Sequence, residues 1–318
     1  MGAWHSSRSL GDGGYHRGMT TKVAVLGVPM DLGQARRGVD MGPSALRCTG
    51  FEHALDELGY GVLDLGDIAV PVAESLAGAG RQGPSGLAYL DAIRGACDDI
   101  RSCLAATPVE AFPVVLGGDH SLAMGSVPGA ARGERIGVLW VDAHTGFNVP
   151  ETSPSGNVHG MPLAALCGLG GAPLVAAAGG GPAVRPEDVV IVGVRSVDRG
   201  ERETLRRMGV TVFSMKEVDR LGITRVAEEA IARLGSLPRV HVSLDADALD
   251  PEIAPGVGTP IPGGLTYREA HLLMELFADA GIATSLDLVE VNPILDRENR
   301  TAKMMVELAA SLLGKSIL

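Results

Sequence analysis

The chain has 318 residues, of which 46% are hydrophobic and 20% are charged. Its net charge of −11 at pH 7 argues against a nucleic-acid-binding protein, because phosphates would be repelled. The chain has no apolar run as long as a membrane span, and residues 1–21 lack the apolar region of a secretory signal. We therefore expect a cytoplasmic protein in which residues 1–21 are a disordered extension and residues 22–318 form one domain.

Apolar runs alternate with helical patterns from residue 22 onward. The predicted strands are 22–28, 61–65, 113–116, 136–141, 189–194, 210–214, 240–244 and 284–289. Helices are predicted to begin near Gly42 and near Ser121, and to cover 87–106, 201–208, 223–234, 267–280 and 301–313. Solidly apolar strands separated by helices are typical of parallel sheets buried on both faces. The Gly-, Ala- and Pro-rich segment 168–186 is interpreted as a surface loop.

Acidic residues and histidines follow three of the predicted strands directly. Asp119-His120 follows the third strand, Asp142-Ala143-His144 the fourth and Asp245-Ala246-Asp247 the seventh. In open parallel sheets ligands gather beyond the carboxyl ends of the strands, so we expect these side chains to converge. Carboxylate and imidazole ligands without thiolate suit Mn²⁺ or a similar divalent ion. Bridging carboxylates can hold two such ions and activate a shared water molecule.

Five motifs in this order resemble those of the arginase branch of the ureohydrolase family. They are Gly117-Gly118-Asp119-His120-Ser121, Asp142-Ala143-His144, Ser243-Leu244-Asp245-Ala246-Asp247, Gly258-Thr259-Pro260 and Glu290-Val291-Asn292-Pro293. The resemblance extends from about residue 22 to the C-terminus. It implies an α/β fold, a three-layer α/β/α sandwich around a mostly parallel eight-stranded sheet.

The resemblance also implies a centre with two Mn²⁺ ions. By analogy, His120, Asp142 and Asp245 bind the first ion. The second ion is bound by His144 and Asp247 together with the shared carboxylates Asp142 and Asp245. The implied assembly is a homo-oligomer, a trimer or hexamer.

The segment Ser155–Gly160 resembles the arginase loop that binds the α-carboxylate and α-amino groups of an amino acid. The substrate contacts implied by the resemblance are Asn148, Ser155, Asn157, Asp198, Thr259 and Glu290. Among them, Glu290 is assigned to the guanidinium group, and His159 is assigned to protonation of the leaving amine. The implied reaction is hydrolysis of L-arginine to L-ornithine and urea.

Gly146 departs from the family pattern, which has a second aspartate at this position. Three carboxylates, Asp142, Asp245 and Asp247, then remain where the family pattern has four. Hard cations depend on carboxylate charge, so we expect weaker binding of the first ion and reduced turnover. Two alternatives stay open. One is a catalytically impaired protein of this fold that binds a ligand or serves in an assembly, and the other is a ureohydrolase for agmatine or another guanidino compound.

Overall fold

The strands and helices alternate as predicted, in a computed structural model that describes residues 22–76 and 86–316. The strands are β1 (Lys22–Val28), β2 (Gly61–Asp67), β3 (Phe112–Gly117), β4 (Ile136–Val141), β5 (Val189–Val194), β6 (Thr211–Ser214), β7 (Arg239–Asp245) and β8 (Ser285–Val289). The α-helices are α1 (Gly42–Cys48), α2 (Phe51–Glu57), α3 (Leu90–Ala106), α4 (Ala123–Ala131), α5 (Pro162–Leu166), α6 (Ala172–Ala177), α7 (Arg199–Met208), α8 (Met215–Leu221), α9 (Ile223–Leu234), α10 (Tyr267–Ala280) and α11 (Arg300–Leu312). The extension predicted for residues 1–21 lies outside the described residues.

The eight strands form a sheet in the order β2-β1-β3-β8-β7-β4-β5-β6. Each pairing between neighbouring strands is parallel. Helices cover both faces of this sheet, so alternate residues of a strand pack into opposite halves of the core. In β4, for example, Leu139 and Val141 pack into one half, and Val138 and Trp140 pack into the other. The predicted fold class, a three-layer α/β/α sandwich, is confirmed.

The two halves of the core contain different helices. Residues of α1, α2, α8, α9, α10 and α11 pack on one face of the sheet, and residues of α3, α4, α5 and α6 pack on the other. Within the described residues, none of the helices has the length and apolar character needed to cross a membrane.

The four central strands, β3, β8, β7 and β4, bring the predicted site together. Asp245 is the last residue of β7 and is level with Val289, the last residue of β8. Val141, at the end of β4, is level with Leu244. Asp142, Asp245 and Glu290 therefore lie at the same edge of the sheet, as expected for ligands at the carboxyl ends of parallel strands.

One local prediction was wrong. The segment 168–186, interpreted as a surface loop, contains the helix α6. Pro173 stands in its first turn, where a missing N–H costs nothing, and Leu174 and Ala177 are buried against the rest of the core. Tertiary burial of these two apolar side chains stabilises a helix that the Gly- and Pro-rich composition conceals.

Candidate metal centre and substrate pocket

The first group of possible metal ligands consists of His120, Asp142 and Asp245. One ligand atom from each lies within 4.8 Å of the others, and all three side chains are buried. His120 Nδ1 is 3.0 Å from Asp245 Oδ2 and 3.2 Å from Asp142 Oδ2. The other ring nitrogen, Nε2, is 2.8 Å from Ser243 Oγ. Ser243 thus fixes the imidazole with Nδ1 directed at the two carboxylates.

The second group consists of Asp142, His144 and Asp247. His144 Nδ1 is 3.1 Å from Asp247 Oδ2 and 3.4 Å from Asp142 Oδ1. Asp142 belongs to both groups and turns one carboxylate oxygen toward each histidine. Asp245, which the resemblance to the family implied to be shared as well, is found in the first group. Its Oδ1 accepts a hydrogen bond of 2.8 Å from Asp247 N.

The charges in the two groups favour the binding of a cation. Burial and the nearby charges of Asp247 and Asp142 raise the pKa of Asp245 well above its ordinary value. Burial and Asp142 likewise raise the pKa of Asp247. Burial alone would lower the pKa of His144, but Asp247 and Asp142 raise it to about 12. Buried carboxylates this close together are costly without counter-charge, so oxygen and imidazole donors in this arrangement fit divalent metal ions.

A cavity of about 280 Å³ opens over both groups. The predicted substrate contacts Asn148, Ser155, Asn157, Asp198 and Thr259 line this cavity, as does His159. Residues from the loops after β4, β5 and β7 therefore surround one space. Serine, asparagine and aspartate side chains line it together with the metal groups.

Hydrogen bonds fix several of the cavity walls. Asn148 Nδ2 donates to Asp198 Oδ2 at 2.9 Å, which joins the loop after β4 to the start of α7. Thr259 Oγ1 donates to Asp247 Oδ2 at 2.9 Å and so orients a possible metal ligand. Ser155 Oγ accepts a hydrogen bond of 3.2 Å from Asn157 N.

His159 and Glu290 form a pair beside the first metal group. His159 Nδ1 is 3.0 Å from Glu290 Oε1, and His120 N donates to the same oxygen at 3.0 Å. Burial by itself would lower the pKa of His159, but the charge and hydrogen bond of Glu290 raise it. Burial would raise the pKa of Glu290, but His159 lowers it below its ordinary value. Each shift favours the charged form of its side chain.

Glu201 is part of the site that sequence reasoning missed. Glu201 lines the cavity although only 3% of its surface is exposed. Its Oε1 accepts hydrogen bonds from Phe147 N at 2.9 Å and from Thr145 Oγ1, and its Oε2 accepts one from Asp198 N at 3.2 Å. The spacing Asp198-x-x-Glu201 at a helix start was a usable signal, because it is typical of a capping box.

Trp140 was also missed. Its indole ring stacks on the His120 imidazole, with 3.7 Å between the ring centroids and 3° between the planes. Its Nε1 donates to Asp142 Oδ2 at 2.8 Å. One side chain thus orients two possible metal ligands. The available signal was its position two residues before Asp142, on the same side of the strand.

Gly146 lines the same cavity as the metal groups. Its φ is +60°, in the left-handed region that favours glycine. A Cβ atom at this position would lie 3.1 Å from Trp140 Cζ2 and 3.7 Å from Leu163 Cβ. The loop therefore fits a residue without a side chain, and a larger residue would require a small shift of the indole.

Two imidazole–carboxylate groups that share the buried Asp142 at the carboxyl edge of a parallel sheet have the donor set of a two-metal hydrolase. The model of the Arginase family matches residues 21–314, and the chain belongs to this family. The enzyme class predicted from the sequence, an arginase-type hydrolase, is confirmed at this level.

Individual relatives agree with the family match. The chain is 52% identical to the arginase of Bacillus caldovelox over 299 residues, which cover 93% of this chain and 99% of the relative. The native crystal structure of that arginase superposes with a TM-score of 0.89 at 51% identity and covers 94% of this chain and 100% of its own. The arginase of Entamoeba histolytica in complex with L-ornithine superposes with a TM-score of 0.85 at 31% identity, covering 93% and 100%.

Proposed function

We propose that the protein hydrolyses the guanidino group of L-arginine to give L-ornithine and urea, with Mn²⁺ as its metal. The observation that carries this proposal is one cavity lined by both metal-ligand groups, by His159 and by the polar substrate loop, with Glu290 Oε1 lying 3.0 Å from His159 Nδ1. The similarity to a solved arginase that contains L-ornithine supports the choice of an amino-acid substrate.

The proposed metal ligands are His120, Asp142 and Asp245 for one ion, and Asp142, His144 and Asp247 for the other, with Asp245 also near the second group. Carboxylate oxygen and imidazole nitrogen together suit Mn²⁺, and the raised pKa values of Asp245 and Asp247 mark them as carboxylates that gain from a nearby cation. When bound by these residues, two such ions would lower the pKa of water and so supply a hydroxide nucleophile near neutral pH.

Glu290 receives the guanidinium group in this proposal. A carboxylate can bind a planar guanidinium through paired hydrogen bonds, and the buried setting of Glu290 strengthens that interaction. The lowered pKa of Glu290 keeps it charged for this purpose. Binding in this place presents the guanidinium carbon beside the metal groups, where the nucleophile is supplied.

His159 supplies a proton to the departing amine. When the bond between the guanidinium carbon and the chain nitrogen breaks, that nitrogen needs a proton to leave as an amine. The His159 side chain is 15% exposed at the cavity wall, and its raised pKa favours the protonated form. Solvent can restore the proton through this partly open position.

The other end of the substrate is bound by the walls opposite the metal groups. Asn148 and Ser155 are proposed to bind the α-carboxylate, with Asn157 in support, and Asp198 to bind the α-amino group. Thr259 contributes to the polar lining near the metal groups. The hydrogen bond between Asn148 and Asp198 holds these two wall residues at a fixed separation, which favours a substrate that carries both groups.

Gly146 is proposed to weaken the binding of one ion. The resemblance to the family implies an aspartate here for the ion held by His120, Asp142 and Asp245. The backbone of Gly146 lies in the cavity wall without a side chain to provide that oxygen. We therefore infer unequal affinity for the two ions and a turnover that depends on Mn²⁺ concentration.

Two further properties are inferred from the family, namely a cytoplasmic location and assembly as a homo-oligomer. Light scattering would test the assembly against the chain mass of 32.8 kDa. Masses of three or six chains agree with the inference, and the mass of one chain contradicts it.

The deciding experiment measures urea release from L-arginine and from agmatine as Mn²⁺ is titrated. We expect release from L-arginine that rises with Mn²⁺ beyond the first bound ion. Urea from agmatine but not from L-arginine would favour a different guanidino substrate. The absence of urea from either substrate, with both ions bound, would favour a catalytically impaired binding protein.

A further inference from the structure

Glu290 is held by N–H donors on both of its carboxylate oxygens. His120 N and His159 Nδ1 approach Oε1, each at 3.0 Å. Gln34 Nε2 donates to Oε2 at 2.9 Å, from a residue 256 positions away in the sequence. Gln34 is buried, with 8% of the residue exposed. The carboxylate therefore has a defined orientation before any substrate arrives.

We propose that Gln34 is a positioning residue that fixes the Glu290 carboxylate for a guanidinium group and so contributes to selection of guanidino substrates. This inference rests on the proposed function, because it concerns the same site and the same bond. It adds a residue from the loop after β1 to a site otherwise built from the loops after β3, β4, β5, β7 and β8.

The chemistry of an amide suits this role. A lysine or arginine in the place of Gln34 would also donate to Glu290, but its positive charge would compete with the guanidinium for the same carboxylate. Glutamine donates a hydrogen bond without charge, so it adds no second cation beside His159, which already lies 3.0 Å from Glu290 Oε1. The amide therefore orients the carboxylate without competing as a charge with the guanidinium.

The backbone conformation of Glu290 depends on contacts from other residues. Its φ is +64°, a conformation that residues with a side chain rarely adopt and that persists where surrounding contacts hold it. Glu290 N donates to Gly118 O at 2.9 Å, which fixes the backbone. The hydrogen bond from Gln34 fixes the far end of the side chain, where the guanidinium would bind.

Gly258 gives Gln34 the room that this contact needs. A Cβ atom at position 258 would lie 2.8 Å from Gln34 Oε1 and 3.9 Å from Glu290 Oε2. A side chain here would push the Gln34 amide away from Glu290. The position of the Gln34 side chain thus explains why a glycine stands first in the Gly258-Thr259-Pro260 motif.

The backbone of the Gln34 loop is held independently of the Gln34 side chain. Gly33 N donates to Asp119 Oδ2 at 2.8 Å, and His159 N donates to Gly33 O at 3.0 Å. Replacement of the Gln34 side chain therefore leaves the loop anchored at its neighbour. This separation allows a clean test.

The test compares Gln34→Met, which keeps the length of the side chain but has no N–H donor, with wild-type protein loaded with Mn²⁺. We expect kcat/KM for L-arginine to fall ~10- to 100-fold, the usual loss when a hydrogen bond to a charged group is removed. The inhibition constant of L-ornithine, which has no guanidinium, should stay unchanged. Arg36→Met is the matched control, because Arg36 is exposed in the same loop.

Two results would overturn the proposal. If Gln34→Met weakens L-ornithine as much as L-arginine, Gln34 supports the pocket in general, and if it changes neither, the hydrogen bond has no role. A second measurement determines kcat/KM for a double variant that combines Gln34→Met with Glu290→Gln. If Gln34 acts through Glu290, the double variant should be within ~2-fold of Glu290→Gln alone, whereas fully multiplied losses would contradict it.

Failure of the proposed function would be visible separately. If wild-type protein releases no urea from L-arginine, the activity is wrong, and calorimetric binding of L-arginine and L-ornithine to the Mn²⁺-loaded protein replaces the kinetic readout. Selective loss of L-arginine binding in Gln34→Met would still support the role of Gln34. Equal binding by variant and wild type would refute it.

Discussion

The Trp140 indole lies parallel to the His120 imidazole, 3.7 Å from it, and at the same time donates its N–H to Asp142 Oδ2. Residues that orient metal ligands in this way commonly change metal affinity ~10- to 100-fold when they are replaced. Trp140→Phe keeps an aromatic ring beside His120 but has no N–H for Asp142. We expect this variant to bind the ion of the His120 group ~10-fold more weakly, as measured by equilibrium dialysis with Mn²⁺.

Trp140→Leu serves as the comparison, because it removes both the ring stacking and the N–H. It should weaken the same ion further and lower the thermal midpoint, since a large core side chain is lost. If Trp140→Phe binds Mn²⁺ as tightly as wild type does, the hydrogen bond to Asp142 has no influence on the metal.

Gly146→Asp should restore a carboxylate to the rim of the metal groups. We expect at least ~10-fold tighter binding of the more weakly held ion, because a contact with a charged group contributes roughly 1.5–3 kcal/mol. Urea release at low Mn²⁺ should rise with it. Metal stoichiometry and urea release, measured on the same samples, test both effects.

Gly146→Asn is the matched control for that variant. Asparagine has nearly the same shape and, like aspartate, tolerates the left-handed backbone found at φ +60°. Both variants therefore share the strain of roughly 1–2 kcal/mol and the contact with Trp140. Equal metal binding by the two variants would show that the carboxylate charge is not what the site lacks.

The pH dependence of the His159–Glu290 pair follows from the raised pKa of His159. A raised pKa in the folded state means that the pair stabilises the protein fully below the unfolded histidine pKa of about 6.5 and loses this contribution as pH rises through the folded pKa. The difference in unfolding free energy between wild type and His159→Gln should therefore shrink across that window. Denaturation curves at a series of pH values would measure it.

The raised pKa of His159 also predicts the pH at which activity falls on the alkaline side. If protonated His159 supplies the proton to the leaving amine, kcat should fall only when pH exceeds the raised pKa, and His159→Gln should lack that step. A limb that persists unchanged in the variant would assign the titration to another group.

Ser155→Ala should separate the two ends of the substrate. Ser155 is exposed and lines the cavity, so loss of its hydroxyl should change stability by no more than ~0.5 kcal/mol. If the hydroxyl binds the α-carboxylate, KM for L-arginine should rise ~10-fold, while agmatine, which has no α-carboxylate, should be unaffected. Similar changes for both substrates would place the contact elsewhere on the molecule.

Strand positions were predictable because fully buried parallel strands are short, continuous apolar runs. The bounds predicted for β4 and β5 agree with the structure residue for residue. Convergence of Asp142 and Asp245 followed from one rule about the carboxyl ends of parallel strands. Local pattern and topology were sufficient for these features.

The long-range contacts of Gln34 and Glu201, unlike the capping box of Asp198 and Glu201, could not be predicted from the sequence for a physical reason. Gln34 meets Glu290 across 256 sequence positions, and Glu201 meets Phe147 across 54. No local periodicity encodes which loop side chains turn toward one another once the sheet has formed. The helix α6 was missed similarly, because its stability comes from burial of Leu174 and Ala177 in the core rather than from local propensity.

The strand order has a consequence for how the protein is made. β8, the last strand to be synthesised, lies between β3 and β7 at the middle of the sheet. A nascent chain that ends before Ser285 lacks β8, the strand that pairs with both β3 and β7. It also lacks Glu290. Closing the long loop between β3 and β8 demands non-local contacts, which slow folding. The middle of the sheet and the candidate site therefore form only once β8 is available.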